Sequence, residues 1–183
     1  MVTALRAAPV SPEQGASLAQ RTRVGLWLCL TSITLFALTD PFVYAHVLGK
    51  LYAVKAFQVA VAIAAFRVLR GPVTRRLAIV ATVIAVAVFS VTTAISGIIT
   101  NDSSTTPVLL IVLGMGTATL LPWGVAPQLA VQVIIAASIM MNIWAVDGAI
   151  EPPSLPLAIV VGSCASVYAA HASARYQREL RRA

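Results

Sequence analysis

Long apolar runs, broken by short basic or turn-forming stretches, set the rhythm of the chain. The runs from about Val24 to His46, Leu51 to Leu69 and Leu77 to Thr100 each approach the roughly 20 residues that carry an α-helix across a bilayer. Between them stand HVLGK and RGPVTRR, whose glycine, proline and charges stop one helix and start the next. From Ser103 to Val146 there is no charged residue. That stretch is too long for one helix and right for two, and PWGVAP (Pro122 to Pro127) supplies the break. DGAIEPPSLP then separates the fifth run from a sixth that begins near Pro156 and continues past His171. The pattern predicts an all-α polytopic membrane protein, a six-transmembrane-helix bundle over residues 24–174. Residues 1–23 hold Pro9, Pro12, Ser, Gly and Gln without apolar periodicity and are expected to form a flexible tail. Residues 175–183 form a basic helical extension.

Composition narrows the class. Hydrophobic residues make up 59% and charged residues 10% of the chain, with a mean hydropathy of +0.90; an average soluble domain is about 25% charged. A soluble core of this length has no room for so much apolar surface. The net charge of +7 does not signal nucleic acid, because the basic residues sit in short clusters between apolar runs, where they orient helices in a membrane. Arg6, Arg21 and Arg23, then Arg67, Arg70, Arg75 and Arg76, then Arg175, Arg178, Arg181 and Arg182 put 11 of the 13 basic residues on one side. Lys50 and Lys55 lie toward the other, with Asp102, Asp147 and Glu151 in its connections. By the positive-inside rule both termini are expected in the cytoplasm. Arg21 and Arg23 before the 16-residue stretch Val24 to Thr39, with VYA (Val43 to Ala45) after it, also resemble a secretory signal, but the apolar region is long and Asp40-Pro41 sits awkwardly before such a cut. The segment reads as a permanent helix. Cys29 and Cys164 both fall within predicted spans, which points to buried thiols rather than a disulfide framework.

Charges inside a span are the first candidates for chemistry. Asp40 and Lys55 lie equally far from the centre of the first hairpin, between Val47 and Leu48, so they fall at one depth on antiparallel helices. A functional charge pair and two side chains that independently snorkel to the interface both fit. Tyr44, His46 and Tyr52 cluster above the pair and Gln58 lies nearly one turn below Lys55. These residues line a polar pocket or, for the tyrosines, form an interface belt. A haem held by His46 and His171 is excluded, because they belong to opposite ends of the approximately 30 Å hydrocarbon core. His171 reads as a packed or interfacial histidine, or as a proton switch. Gln128, Gln132 and Asn142 share one face of the fifth helix, where amides more often join helices than bind ligands. Trp123 and Trp144 flank that helix as expected interface anchors. No His/Asp/Glu cluster has metal or nucleophile spacing, so no cofactor or metal is expected and no catalytic residue stands out.

The sixth helix carries Gly162, Ser166, Ala170 and Ala174 at four-residue spacing, a small-residue stripe that admits a neighbouring helix in the bundle or across a dimer. A second stripe, Ala165, Ala169, Ala172, Tyr176, Leu180 and Ala183, runs on into the basic end without a helix-terminating glycine or proline. The minimal loops, the LLPWGVAPQ turn (Leu120 to Gln128) and the exit YAAHASARYQRELRRA resemble the N-terminal membrane sensor regions of bacterial histidine kinases and nucleotide cyclases. That resemblance implies a signal-input module in the bacterial inner membrane, dimeric and joined through its last helix to a cytoplasmic output domain. The ligand-sensing candidates are then Asp40, Tyr44, His46, Tyr52, Lys55 and Gln58. Gly162, Ser166, Ala170, Tyr176 and Leu180 would serve packing and output. Its partners are the lipid bilayer, a second copy and a small or lipophilic ligand. The chain departs from the full-length pattern in having no phosphoacceptor helix, ATP-binding lobe or cyclase domain. The alternative reading is a small transporter or channel with its polar site near Asp40 and Lys55.

Overall fold

The computed structural model describes residues 12–147 and 154–180. The side chains at 12–14, 147, 154–158, 174 and 176–180 lie outside the described set. Among the described residues, six α-helices, α1 Pro12–Val43, α2 Leu48–Val68, α3 Arg75–Thr100, α4 Thr105–Leu120, α5 Val125–Asp147 and α6 Ser154–Leu180, run back and forth, with a single turn of 3-10 helix at Ala45–Val47. There is no strand among the described residues. α1, α2, α3 and α5 are long and apolar enough to cross a membrane. The apolar stretches of α4 and α6 are shorter, Thr105–Leu120 and Ile159–Ser173; sixteen residues give about 24 Å of helix.

α1 begins well before the apolar run. The structure has helix from Pro12, inside the stretch expected as a flexible tail, while residues 1–11 lie outside the described residues. Proline suits a first helical turn, where its missing N–H has no partner to lose. Leu18, Ala19, Thr22 and Leu26 are then buried on one face, and the Thr22 hydroxyl meets that of Thr82 on α3 at 3.0 Å. Gly15 lets this first turn approach the loop before α3, since a Cβ there would stand 2.2 Å from the Val73 carbonyl oxygen.

The outer surface of α1 is apolar, with Trp27, Leu35 and Leu38 exposed. Its exposed hydroxyls are internally bonded: Thr31, Ser32 and Thr34 donate to the carbonyls of Trp27, Leu28 and Leu30 at 2.9–3.0 Å. Back-bonding of this kind lets a hydroxyl face hydrocarbon without an unsatisfied donor.

α3 sits at the centre, packed against α1, α2, α4 and α5. The Thr74 hydroxyl caps it by accepting from Leu77 N at 3.3 Å. At its far end Asn101 adopts a left-handed conformation with φ 56°, and Asp102 N donates back to Gly97 O at 2.8 Å, the usual way to satisfy a helix's last carbonyls. The Asp102 carboxylate then accepts from Ser104 N and Thr105 N at 3.0 and 2.8 Å, capping α4. The α4–α5 turn uses Gly124 at φ 95°.

Trp123 corrects an expectation. It is only 2% exposed, and its indole Nε1 donates to Gln128 Oε1 at 3.0 Å, so it is a core residue rather than an interface anchor. Trp144, 76% exposed, has the surface position expected of one.

Two glycine substitutions separate close packing from open space. Gly15→Ala should lower the melting temperature of the purified protein, by the roughly 1–3 kcal/mol that overpacking costs, because the obstructing atom belongs to the backbone. Gly116→Ala, with nothing within 4 Å of its Cβ on α4, should leave it unchanged or raise it. Equal effects in thermal unfolding would refute the packing at Gly15.

Candidate functional site

The inward seam of α2 repeats every three or four residues, Leu51, Lys55, Gln58, Ala62 and Ala65, and runs on to Leu69 at the helix's C-cap. Such spacing builds an apolar stripe against neighbouring helices. Two of its positions, however, are polar. Lys55 Nζ donates to the Asp40 carboxylate on α1, and Gln58 Nε2 donates to Thr92 Oγ1 on α3 at 2.8 Å. The side chains of Lys55 and Asp40 are only 12% and 6% exposed. The equal-depth placement inferred from the hairpin therefore produces a direct ion pair, and the two charges do not reach water independently.

Proline explains the neighbouring tyrosine. Pro41 lies inside α1 and has no N–H, so the carbonyl of Ala37, four residues earlier, loses its helical donor. The Tyr52 hydroxyl on α2 supplies the missing bond, donating to Ala37 O at 3.0 Å. Tyr52 is thus a cross-helix cap for a proline site, a role the sequence reading missed although the spacing of Ala37, Pro41 and Tyr52 around the hairpin could have suggested it. α1 resumes below the proline only briefly, with Tyr44 N bonded to Asp40 O at 2.7 Å.

The polar end opens into a groove of about 440 Å³. α1 and α4 form its walls, α3 its floor, and α2 contributes Leu51, Lys55 and Gln58. Asp40, Tyr44, Lys55 and Gln58 are brought together there. His46 is exposed on the 3-10 turn and does not line the groove, and Tyr52 faces the α1 backbone instead. No three His, Cys, Asp or Glu side chains gather to hold a metal among the described residues.

A second polar knot binds α4, α5 and α6. Gln128 Nε2 donates to Ser166 Oγ at 2.7 Å and to Gly114 O at 3.1 Å, Gln132 Nε2 reaches the same Ser166 Oγ at 2.7 Å, and Ser166 Oγ lies 3.1 Å from Gly114 O. Gln128 and Asn142 are fully buried. The amides join helices, the commoner of the two roles weighed for them. Ser166 and Ala170 are buried, and a Cβ on Gly162 would meet Ile111 of α4 at 3.2 Å. Gly162, Ser166 and Ala170 of the small-residue stripe thus face the interior of the chain, while the Ala174 side chain lies outside the described residues. Tyr176 and Leu180 belong to α6, but their side chains, and Ala183 altogether, lie outside the described residues. His171 is exposed.

Comparison with protein families, curated sequences and solved structures finds no match for this chain.

Two cycles test these contacts. Breaking a buried pair by removing one charge costs about 3–5 kcal/mol, whereas replacing both is far milder. Asp40→Asn and Lys55→Met should therefore each destabilise more than the double variant in thermal unfolding; coupling within error of zero would mean that the pair does not form. Tyr52→Phe should cost about 1–2 kcal/mol by stranding Ala37 O. That cost should largely vanish in a Pro41→Ala background, where the restored N–H at position 41 takes the carbonyl, and an undiminished cost there would refute the capping role.

Proposed function

We propose that the chain is a signal-input module of a bacterial cytoplasmic membrane. In this reading all six helices span the bilayer with both termini in the cytoplasm. The groove with its Asp40–Lys55 pair receives the stimulus, and α6 transmits it, within a dimer, to a cytoplasmic output domain of kinase or cyclase type. The observation that carries the reading is the double role of α4. One of its faces lines the groove through Leu109, Leu113 and Gly116, and another holds α6 through Ile111 and Gly114. A ligand or a proton that shifts α4 must therefore also shift the seat of α6, which continues helical to Leu180 at the basic end. The likeness of the PWGVAP turn and the basic helical exit to kinase and cyclase sensor regions supports the same conclusion.

The transporter reading keeps one observation in its favour. The groove extends from Thr22 and Thr82 near the basic end to Asp102 and Thr105 at the other, nearly the length of the bundle. Transport requires access at both ends, whereas sensing requires only that the occupied and empty states seat α6 differently.

Reporter fusions at Ser103 and after Ala183 should report the outside and the cytoplasm respectively, and an external Ala183 would overturn the topology. A cyclase catalytic core joined in helical register after Leu180 should change output when Asp40→Asn and Lys55→Met are combined, in a variant that still folds. Unchanged cyclic-nucleotide production, together with solute flux through reconstituted vesicles, would replace the sensor with the transporter.

A further inference from the structure

The ion pair lies at one end of the groove, and the rest of it has a polarity gradient. Its middle is apolar, walled by Leu26, Ile33, Phe89, Leu110 and Leu113. Near the basic end α1 and α4 draw together, a Cβ on Gly25 lying 4.0 Å from Leu120 Cδ1. Along the side, Leu28, Phe36 and Val112 line the groove and are 56%, 42% and 61% exposed. The mouth therefore opens laterally, between two apolar helices, onto hydrocarbon in a membrane-spanning bundle. From Gly25 to Asp40 the wall of α1 rises about 22 Å, more than the roughly 15 Å of one leaflet's hydrocarbon. A volume of about 440 Å³ falls in the range of small-molecule sites, about 300–1,000 Å³.

The chemistry of the polar end specifies a head group. Lys55 and Asp40 neutralise each other, whereas the Asp102 carboxylate, although it accepts from the backbone of Ser104 and Thr105, keeps its negative charge and disfavours an anionic head. Ser96 Oγ donates to Thr92 O at 3.1 Å, and Thr100 Oγ1 to Ser96 O at 3.0 Å. With its hydrogen turned to a carbonyl, each hydroxyl offers lone pairs to an incoming donor. An anionic head would face the Asp102 carboxylate, and a cationic one would give up far more hydration than a hydroxyl.

We propose that the groove binds a single-chain lipid with an uncharged hydroxyl head, such as a monoacylglycerol or a long-chain alcohol. The chain lies along Ile33 and Leu113, and the head sits against Ser96 and Thr100. This names the ligand class of the sensing site above and rests on the reading of the chain as a bilayer-spanning bundle.

The test uses the full chain in lipid nanodiscs with a monoacylglycerol carrying a mid-chain diazirine, and maps the photolabelled peptides by mass spectrometry. Label should concentrate on α1 and α4 around Ile33 and Leu113, and monoolein should displace it better than oleate or oleylamine. Gly116→Leu, built from a groove position with open space around it, should abolish that label without lowering the melting temperature. Ser96→Ala should weaken it, whereas Thr119→Ala, on the exposed side of α4, should not. Label spread evenly over exposed positions such as Leu35 and Val133, and indifferent to both Gly116→Leu and Ser96→Ala, would mean surface lipid only and overturn the proposal. Equal displacement by oleate or oleylamine would overturn the uncharged head. Topology reporters placed as expected with no groove label would sink the ligand alone, and misplaced reporters would sink the membrane reading beneath it.

Discussion

A polar group buried among apolar helices has no solvent to fall back on, and an unsatisfied one costs several kcal/mol in hydrocarbon. In this bundle that constraint governs how the helices sit against one another. Apolar contacts alone tolerate sliding and rotation, because one leucine surface resembles another. The bonds from Tyr52 to Ala37 O, from Lys55 to Asp40 and from Gln58 to Thr92 each have one geometry. Together they hold α2 in register with α1 on one side and α3 on the other. Ser166, shared by Gln128 and Gln132 and bonded to Gly114 O, does the same for α4, α5 and α6.

These two polar knots differ in what their disruption would do. The amide and hydroxyl knot is neutral, and its members satisfy one another through short side chains and a backbone carbonyl. It behaves as scaffold. The ion pair has two charges whose stability depends on each other and on the dielectric around them, and it borders an open groove. Removing either charge would leave the other unpaired at low exposure. The ion pair thus stands beside the cavity, and the amide and hydroxyl knot lies between α4, α5 and α6.

Small residues make the close approaches possible. A Cβ on Gly97 would fall 2.3 Å from Thr106 Oγ1 and 2.5 Å from Asn142 Nδ2, and one on Gly114 would meet Gln132 Nε2 at 2.8 Å. Without side chains there, α3, α4 and α5 draw near enough for the buried amides to reach backbone carbonyls, as Asn142 Nδ2 does to Ala94 O at 3.4 Å. Helices that cannot gain much from apolar burial in a lipid surrounding associate through this kind of packing and bonding.

Helix number, the turns at RGPVTRR and PWGVAP and the apolar class were legible in the sequence, because each depends on local composition: apolar length, and glycine or proline where a helix must stop. The pairing of Asp40 with Lys55 was legible too, since an antiparallel hairpin puts equal offsets at equal depth. The helical start at Pro12 was not, because Gly15, Leu18, Ala19 and Thr22 have too little apolar area to stand out and are buried only where α3 and its preceding loop happen to pass. Nor was the inward turn of Trp123, since an indole beside a turn suits an interface equally well until Gln128 Oε1 is seen to accept its N–H. The groove itself depends on how far α1 and α4 diverge across α3. That is a sum of packing distances between segments some 80 residues apart in the chain, and no local pattern encodes it.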